Sequence, residues 1–104
     1  MILGLDVSTS IIGVCLLKDN TIVKTDYIDL RKTSGLLHKA KVVEDYITHN
    51  LQEEKIEHVF IEQALMFFRR GGSTAKTMSV LQNFNGVVSW LCFKMLELEP
   101  QYIT

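Results

Sequence analysis

Met1-Ile2-Leu3-Gly4-Leu5-Asp6-Val7-Ser8-Thr9-Ser10-Ile11-Ile12-Gly13-Val14 opens the chain. An apolar run of this length that ends in a carboxylate suits a strand buried on both faces better than a helix. Ser8-Thr9-Ser10 reads as a turn, and a second apolar run follows from Ile11 to Leu17. Asp19-Asn20 predicts a hairpin turn into a third strand, Thr21 to Ile28, rich in Thr, Ile, Val and Tyr. The chain therefore opens as a three-stranded antiparallel meander.

The hydrophobic period then changes. Leu36, Ala40, Val43, Ile47 and Leu51 repeat at helical spacing with polar residues between them, which predicts an amphipathic helix with Ser34 as N-cap. Val59-Phe60-Ile61-Glu62 is a fourth short strand, again ending in a carboxylate. From Ser73 onward Met78, Leu81, Phe84, Val88, Leu91, Met95 and Leu98 predict a second helix. Trp90 and Phe93 widen its apolar face, Gly86 predicts a close approach to another element, and Pro100 closes it. Gln101 to Thr104 begins a fifth strand. A strand–helix–strand crossover pairs its strands in parallel, so the expected fold is α/β. Its mixed sheet has the order third–second–first–fourth–fifth.

That topology brings Asp6 and Glu62 to one edge of the sheet, on backbones about 5 Å apart. Two ionised carboxylates about 4 Å apart repel by roughly 4 kcal/mol at an effective dielectric near 20. A shared proton or a divalent cation offsets that cost. Hard oxygen donors favour Mg²⁺ or Mn²⁺ over zinc, and His38, His49 and His58 have no cysteine at ligand spacing. Taken singly, Asp6 also reads as an acceptor for the Ser8–Ser10 turn. The pair at matching strand ends carries the metal reading.

Composition bounds the rest. The chain has 104 residues, 47% apolar and 22% charged, with net charge −1, which fits one globular domain. No apolar run reaches the roughly 18 residues of a membrane span, and Asp6 interrupts any leader-like start. Cys15 and Cys92, far apart and each in an apolar run, predict two buried free thiols in a reducing cytoplasm. The net charge hides an asymmetry. Residues 1–62 hold seven Lys/Arg against ten Asp/Glu, whereas Arg69, Arg70, Lys76 and Lys94 follow Glu62 before the next carboxylate, Glu97. The segment after the fourth strand is locally basic.

The opening hairpin and Phe60-Ile61-Glu62-Gln63, at this spacing, resemble the first two acidic motifs of RuvC-like Holliday junction resolvases, in the ribonuclease H-like superfamily. The likeness runs over nearly all 104 residues. It implies one ribonuclease H-like domain over 1–104 and a Mg²⁺- or Mn²⁺-dependent endonuclease that hydrolyses phosphodiesters in four-way DNA junctions as a homodimer. Asp6 and Glu62 match its catalytic, metal-binding carboxylates. Leu65 falls where the bacterial enzymes carry a base-contacting aromatic. Leucine departs from that pattern, and Met66, Phe67 or Phe68 would supply the wedge instead. Ser8, Thr9, Arg69, Arg70, Ser73, Thr74 and Lys76 would meet DNA, the last helix also through its N-terminal backbone. Two further acidic residues of the family have no counterpart before Thr104. The sequence therefore reads as the N-terminal part of a longer resolvase domain, inactive or nearly so by itself. Two other classes share the opening hairpin: a non-catalytic DNA-binding module, and the ATP-binding fold of sugar kinases and Hsp70 proteins, which needs two lobes and several hundred residues.

Overall fold

A computed structural model of the protein describes residues 1–62 and 75–103. Its elements are β1 (Ile2–Asp6), β2 (Ile11–Lys18), β3 (Thr21–Asp29), α1 (Leu36–Asn50), β4 (His58–Glu62), α2 (Ala75–Leu96) and β5 (Gln101–Ile103). They form one five-stranded sheet ordered β3-β2-β1-β4-β5. β1 pairs antiparallel with β2 and parallel with β4. β4 continues in parallel to β5. The order expected from the apolar runs and the crossover is the order found.

Strand alternation sorts the side chains onto two unlike faces. Leu3 and Leu5 of β1, Ile12, Val14 and Leu16 of β2, Ile28 of β3, and Val59 and Ile61 of β4 are all buried. They pack with Val43 and Ile47 of α1 and with Phe84, Val88, Leu91 and Cys92 of α2 in a single core. Both helices therefore cover the same face. The other face carries Gly4 and Asp6, Gly13 and Cys15, and Phe60 and Glu62, and no helix covers it among the described residues.

Local chemistry fixes the corners. Asp19 and Asn20 both take positive φ, 52° and 63°, as a two-residue hairpin joining twisted strands requires. The N-terminal ammonium of Met1 donates to the Lys55 carbonyl at 2.8 Å, and the Glu57 amide donates back to the Met1 carbonyl at 2.8 Å. These bonds seat the α1–β4 connection beneath β1. Tyr46 of α1 donates its hydroxyl to Asp26 of β3 at 2.7 Å. That bond, with the Tyr27 amide, holds the Asp26 carboxyl below its ordinary range.

The structure corrects five expectations. β1 is covered on one face only, so its burial alternates along the strand instead of holding on both faces. Ser34 is not the cap of α1; the N-cap is Gly35, at φ 93°, with no side-chain hydrogen bond. Glycine tolerates that conformation and serine does not. α2 ends at Leu96 rather than at Pro100, because Glu97 turns left-handed (φ 59°) while its amide bonds the Phe93 carbonyl. Gly86 is exposed, and a Cβ built on it meets nothing within 4 Å; its open side lies in a shallow depression with Trp90, Phe93 and Tyr102. Cys92 is buried, which pushes its thiol up to about 12. Cys15 is only half-buried, since it belongs to the uncovered face.

Candidate functional site

β1 and β4 run side by side in the register Gly4↔Phe60 and Leu5↔Ile61. The next step brings Asp6 beside Glu62. Both are exposed, both project from the uncovered face, and both stand at the carboxyl ends of parallel strands, where open α/β sheets bind their ligands. Among the described residues neither has an ion-pair partner. Across the other ladder Asp6 faces Gly13, where a Cβ would lie 3.6 Å from the Cβ of Asp6. The missing side chain keeps that flank of the carboxylate clear.

Two carboxylates on adjacent strands, uncrowded and reachable from solvent, fit one hard divalent cation completed by water or phosphate oxygens. They do not make a complete protein cage. No group of three or more His, Cys, Asp or Glu side chains placed to hold a metal occurs among the described residues.

The turn after Asp6 is built by Ser8. Its Oγ donates to the Ile11 carbonyl at 2.6 Å and accepts from the Ile11 amide at 3.0 Å. That hydroxyl, predicted to meet DNA, is engaged inside the turn. Thr9 is half-buried, and its carbonyl accepts the Lys39 Nζ at 2.5 Å. The Ser10 carbonyl accepts the Leu30 amide at 2.8 Å. Lys39 makes a bond that the helical pattern concealed, because a lysine between apolar positions reads as an ordinary solvated residue. Lys76 is exposed in the first turn of α2. Leu65, Met66, Phe67, Phe68, Arg69, Arg70, Ser73 and Thr74 lie outside the described residues.

No helix of the described residues is long and apolar enough to cross a membrane. No protein-family model matches the sequence, and no curated protein matches it. Solved structures do. The chain superposes on T. thermophilus RuvC in complex with a Holliday junction substrate with a TM-score of 0.76 at 12% identity, covering 98% of this chain and 62% of that one. A second Thermus thermophilus RuvC structure matches with a TM-score of 0.64 at 14% identity, with the same coverage. The chain thus spans about three fifths of the length of the structures it matches, and over that span its fold is the ribonuclease H-like fold of RuvC.

Proposed function

We propose that this chain carries the first part of a junction-resolving endonuclease: a domain that binds branched DNA and places a divalent cation against a phosphodiester. The observation that carries this reading is the register that sets Asp6 beside Glu62 on the open face, at the strand ends of a RuvC-like sheet. Asp6 and Glu62 would hold the ion, and Gly13 leaves room for the phosphate oxygens that complete its shell. When bound, Mg²⁺ or Mn²⁺ supplies Lewis-acid polarisation of a phosphoryl oxygen. The chain's own residues bind and orient: the Ser8-braced turn fixes where the β1 strand end points, and the basic segment after Glu62 contacts backbone phosphates. With two carboxylates instead of a full set, phosphodiester hydrolysis by residues 1–104 alone is slow or absent. A homodimer in a reducing cytoplasm belongs to the same proposal. Trp90 and Phe93, 57% and 50% exposed on the outer side of α2, supply an apolar surface for it.

A metal titration tests the site without relying on turnover. For a millimolar Kd, 10 mM Mn²⁺ stabilises the native state by roughly 1.4 kcal/mol, which raises Tm by about 6–10 °C in a domain this small. Asp6→Asn and Glu62→Gln should each remove that shift and leave the metal-free Tm within a few degrees. An unmoved wild-type melting curve would falsify the metal site. In parallel, a four-way junction should bind more tightly than a linear duplex of the same length.

A second reading has one observation in its favour, the lack of a third metal-ligating side chain among the described residues. On that reading the domain binds branched DNA without cutting it. Junction affinity unchanged by Asp6→Asn, together with no Mn²⁺ shift, would support it.

A further inference from the structure

We infer that the β3–α1 connection and the first turns of α1 form a second contact surface for nucleic-acid phosphates, centred on Lys39. The inference rests on the branched-DNA reading above and adds to it a surface from a different stretch of sequence than the basic segment that follows Glu62.

Between Asp29 and Glu44 the sequence contains no carboxylate, while Arg31, Lys32, Lys39 and Lys41 fall within it. Topology carries this stretch to the site. β3 and β1 both run antiparallel to β2, so β3 ends at the sheet edge where Asp6 stands, and α1 starts from that edge. Two bonds then join the stretch to the turn that follows Asp6. The Leu30 amide reaches the Ser10 carbonyl, and the Lys39 Nζ reaches the Thr9 carbonyl thirty residues away.

The cations of the stretch are not equivalent. Arg31 is committed to Asp29 through two side-chain bonds of 3.0 and 2.9 Å, so its charge is compensated. Lys39 spends one of its three donors on a neutral carbonyl and keeps its full charge. Among the described residues no carboxylate lies within ion-pair distance of it. Lys32 is exposed. α1 also begins with no side-chain cap and no acidic residue in its first turn, so nothing fixed competes there with an incoming anion. A phosphate approaching Asp6 and Glu62 meets like charge, and a cation fixed to the adjoining turn offsets that repulsion. The partner is therefore the phosphodiester backbone of a DNA strand that crosses the end of the sheet where β1 and β3 finish, between the carboxylates on the open face and the start of α1 on the other.

The salt dependence of DNA binding tests this, measured for the 104-residue chain with a fluorescent four-way junction and a linear duplex. Removing one phosphate-binding cation lowers the slope of log affinity against log salt by about 1. Lys39→Gln should show that decrease with several-fold weaker binding at low salt, and Lys39→Arg should restore the wild-type slope. Lys32→Gln leaves the Thr9 bond intact and should lower the slope as well, so the surface remains testable if Lys39→Gln does not fold. Lys41→Gln removes the same charge about 200° around the helix and should bind like wild type. Wild-type slopes in both Lys39→Gln and Lys32→Gln overturn the inference. So does stabilisation by inorganic phosphate that Lys39→Gln abolishes with no change in DNA slope, which identifies a small-anion site. If the wild type binds neither DNA, both this surface and the branched-DNA reading fall. Equal wild-type affinity for junction and duplex, with binding to both still weakened by Lys39→Gln, overturns the branch preference and upholds the surface.

Discussion

Tyr46 and Asp26 show what a single pair contributes at the scale of residues. The phenol sits in partial burial, which raises its pKa first through desolvation and then through its bond to Asp26. Asp26 is lowered from 3.8, mainly by that same bond. A carboxyl depressed in the folded state adds stability above its unfolded pKa and loses it as pH falls through the folded value. A phenol raised in the folded state adds stability below 10 and loses it as pH climbs. The pair therefore supports α1 on β3 between about pH 4 and pH 10. Tyr46→Phe should cost about 1 kcal/mol at neutral pH, at the low end for a bond to a charged group because the pair is part-exposed. Urea titrations at pH 3, 7 and 10.5 check this: the deficit should be largest at pH 7 and shrink on both sides. None of this was legible in sequence, where Tyr46 and Asp26 stand twenty positions apart in elements whose docking the period alone does not fix.

Elements were more legible than their ends. β1 and β4 announced themselves as short apolar runs closed by a carboxylate, but an apolar run does not show that both helices would settle on one face, which is why only alternate residues of each strand are buried. The start of α1 did not. Ser34 is the better capping residue by chemistry, yet the chain enters the helix through Gly35 at φ 93°, a backbone choice that only the path from β3 dictates. Ser34→Ala should accordingly be neutral within about 0.5 kcal/mol. Gly35→Ala should cost about 1–2 kcal/mol, because a Cβ there forces a conformation L-residues avoid and would stand 3.4 Å from the His38 ring. Thermal melts of the two variants separate the alternatives: equal losses would return the cap to Ser34. The exposure of Trp90 and Phe93 was hidden for a related reason. A helix broad in apolar residues on two sides does not say which side the sheet will take.

At the scale of the molecule, the candidate site stands on two interior strands of the sheet. β1 has neighbours on both sides and so does β4, while β3 and β5 form the edges. β5 is three residues long, all exposed, and most of β3 is exposed as well. Amide hydrogen exchange should therefore be fast along β5 and the outer side of β3. Leu3, Leu5, Val59 and Ile61 should exchange only through global unfolding, with protection that tracks denaturant stability. Uniform protection across all five strands would contradict that order. The central strand order that makes Asp6 and Glu62 neighbours has a further consequence, one of persistence. When the sheet margins fray, the spacing of the two carboxylates is carried by the last part to open. Loosening of the edge strands β3 and β5 therefore leaves the distance between Asp6 and Glu62 to the ladder that joins β1 and β4.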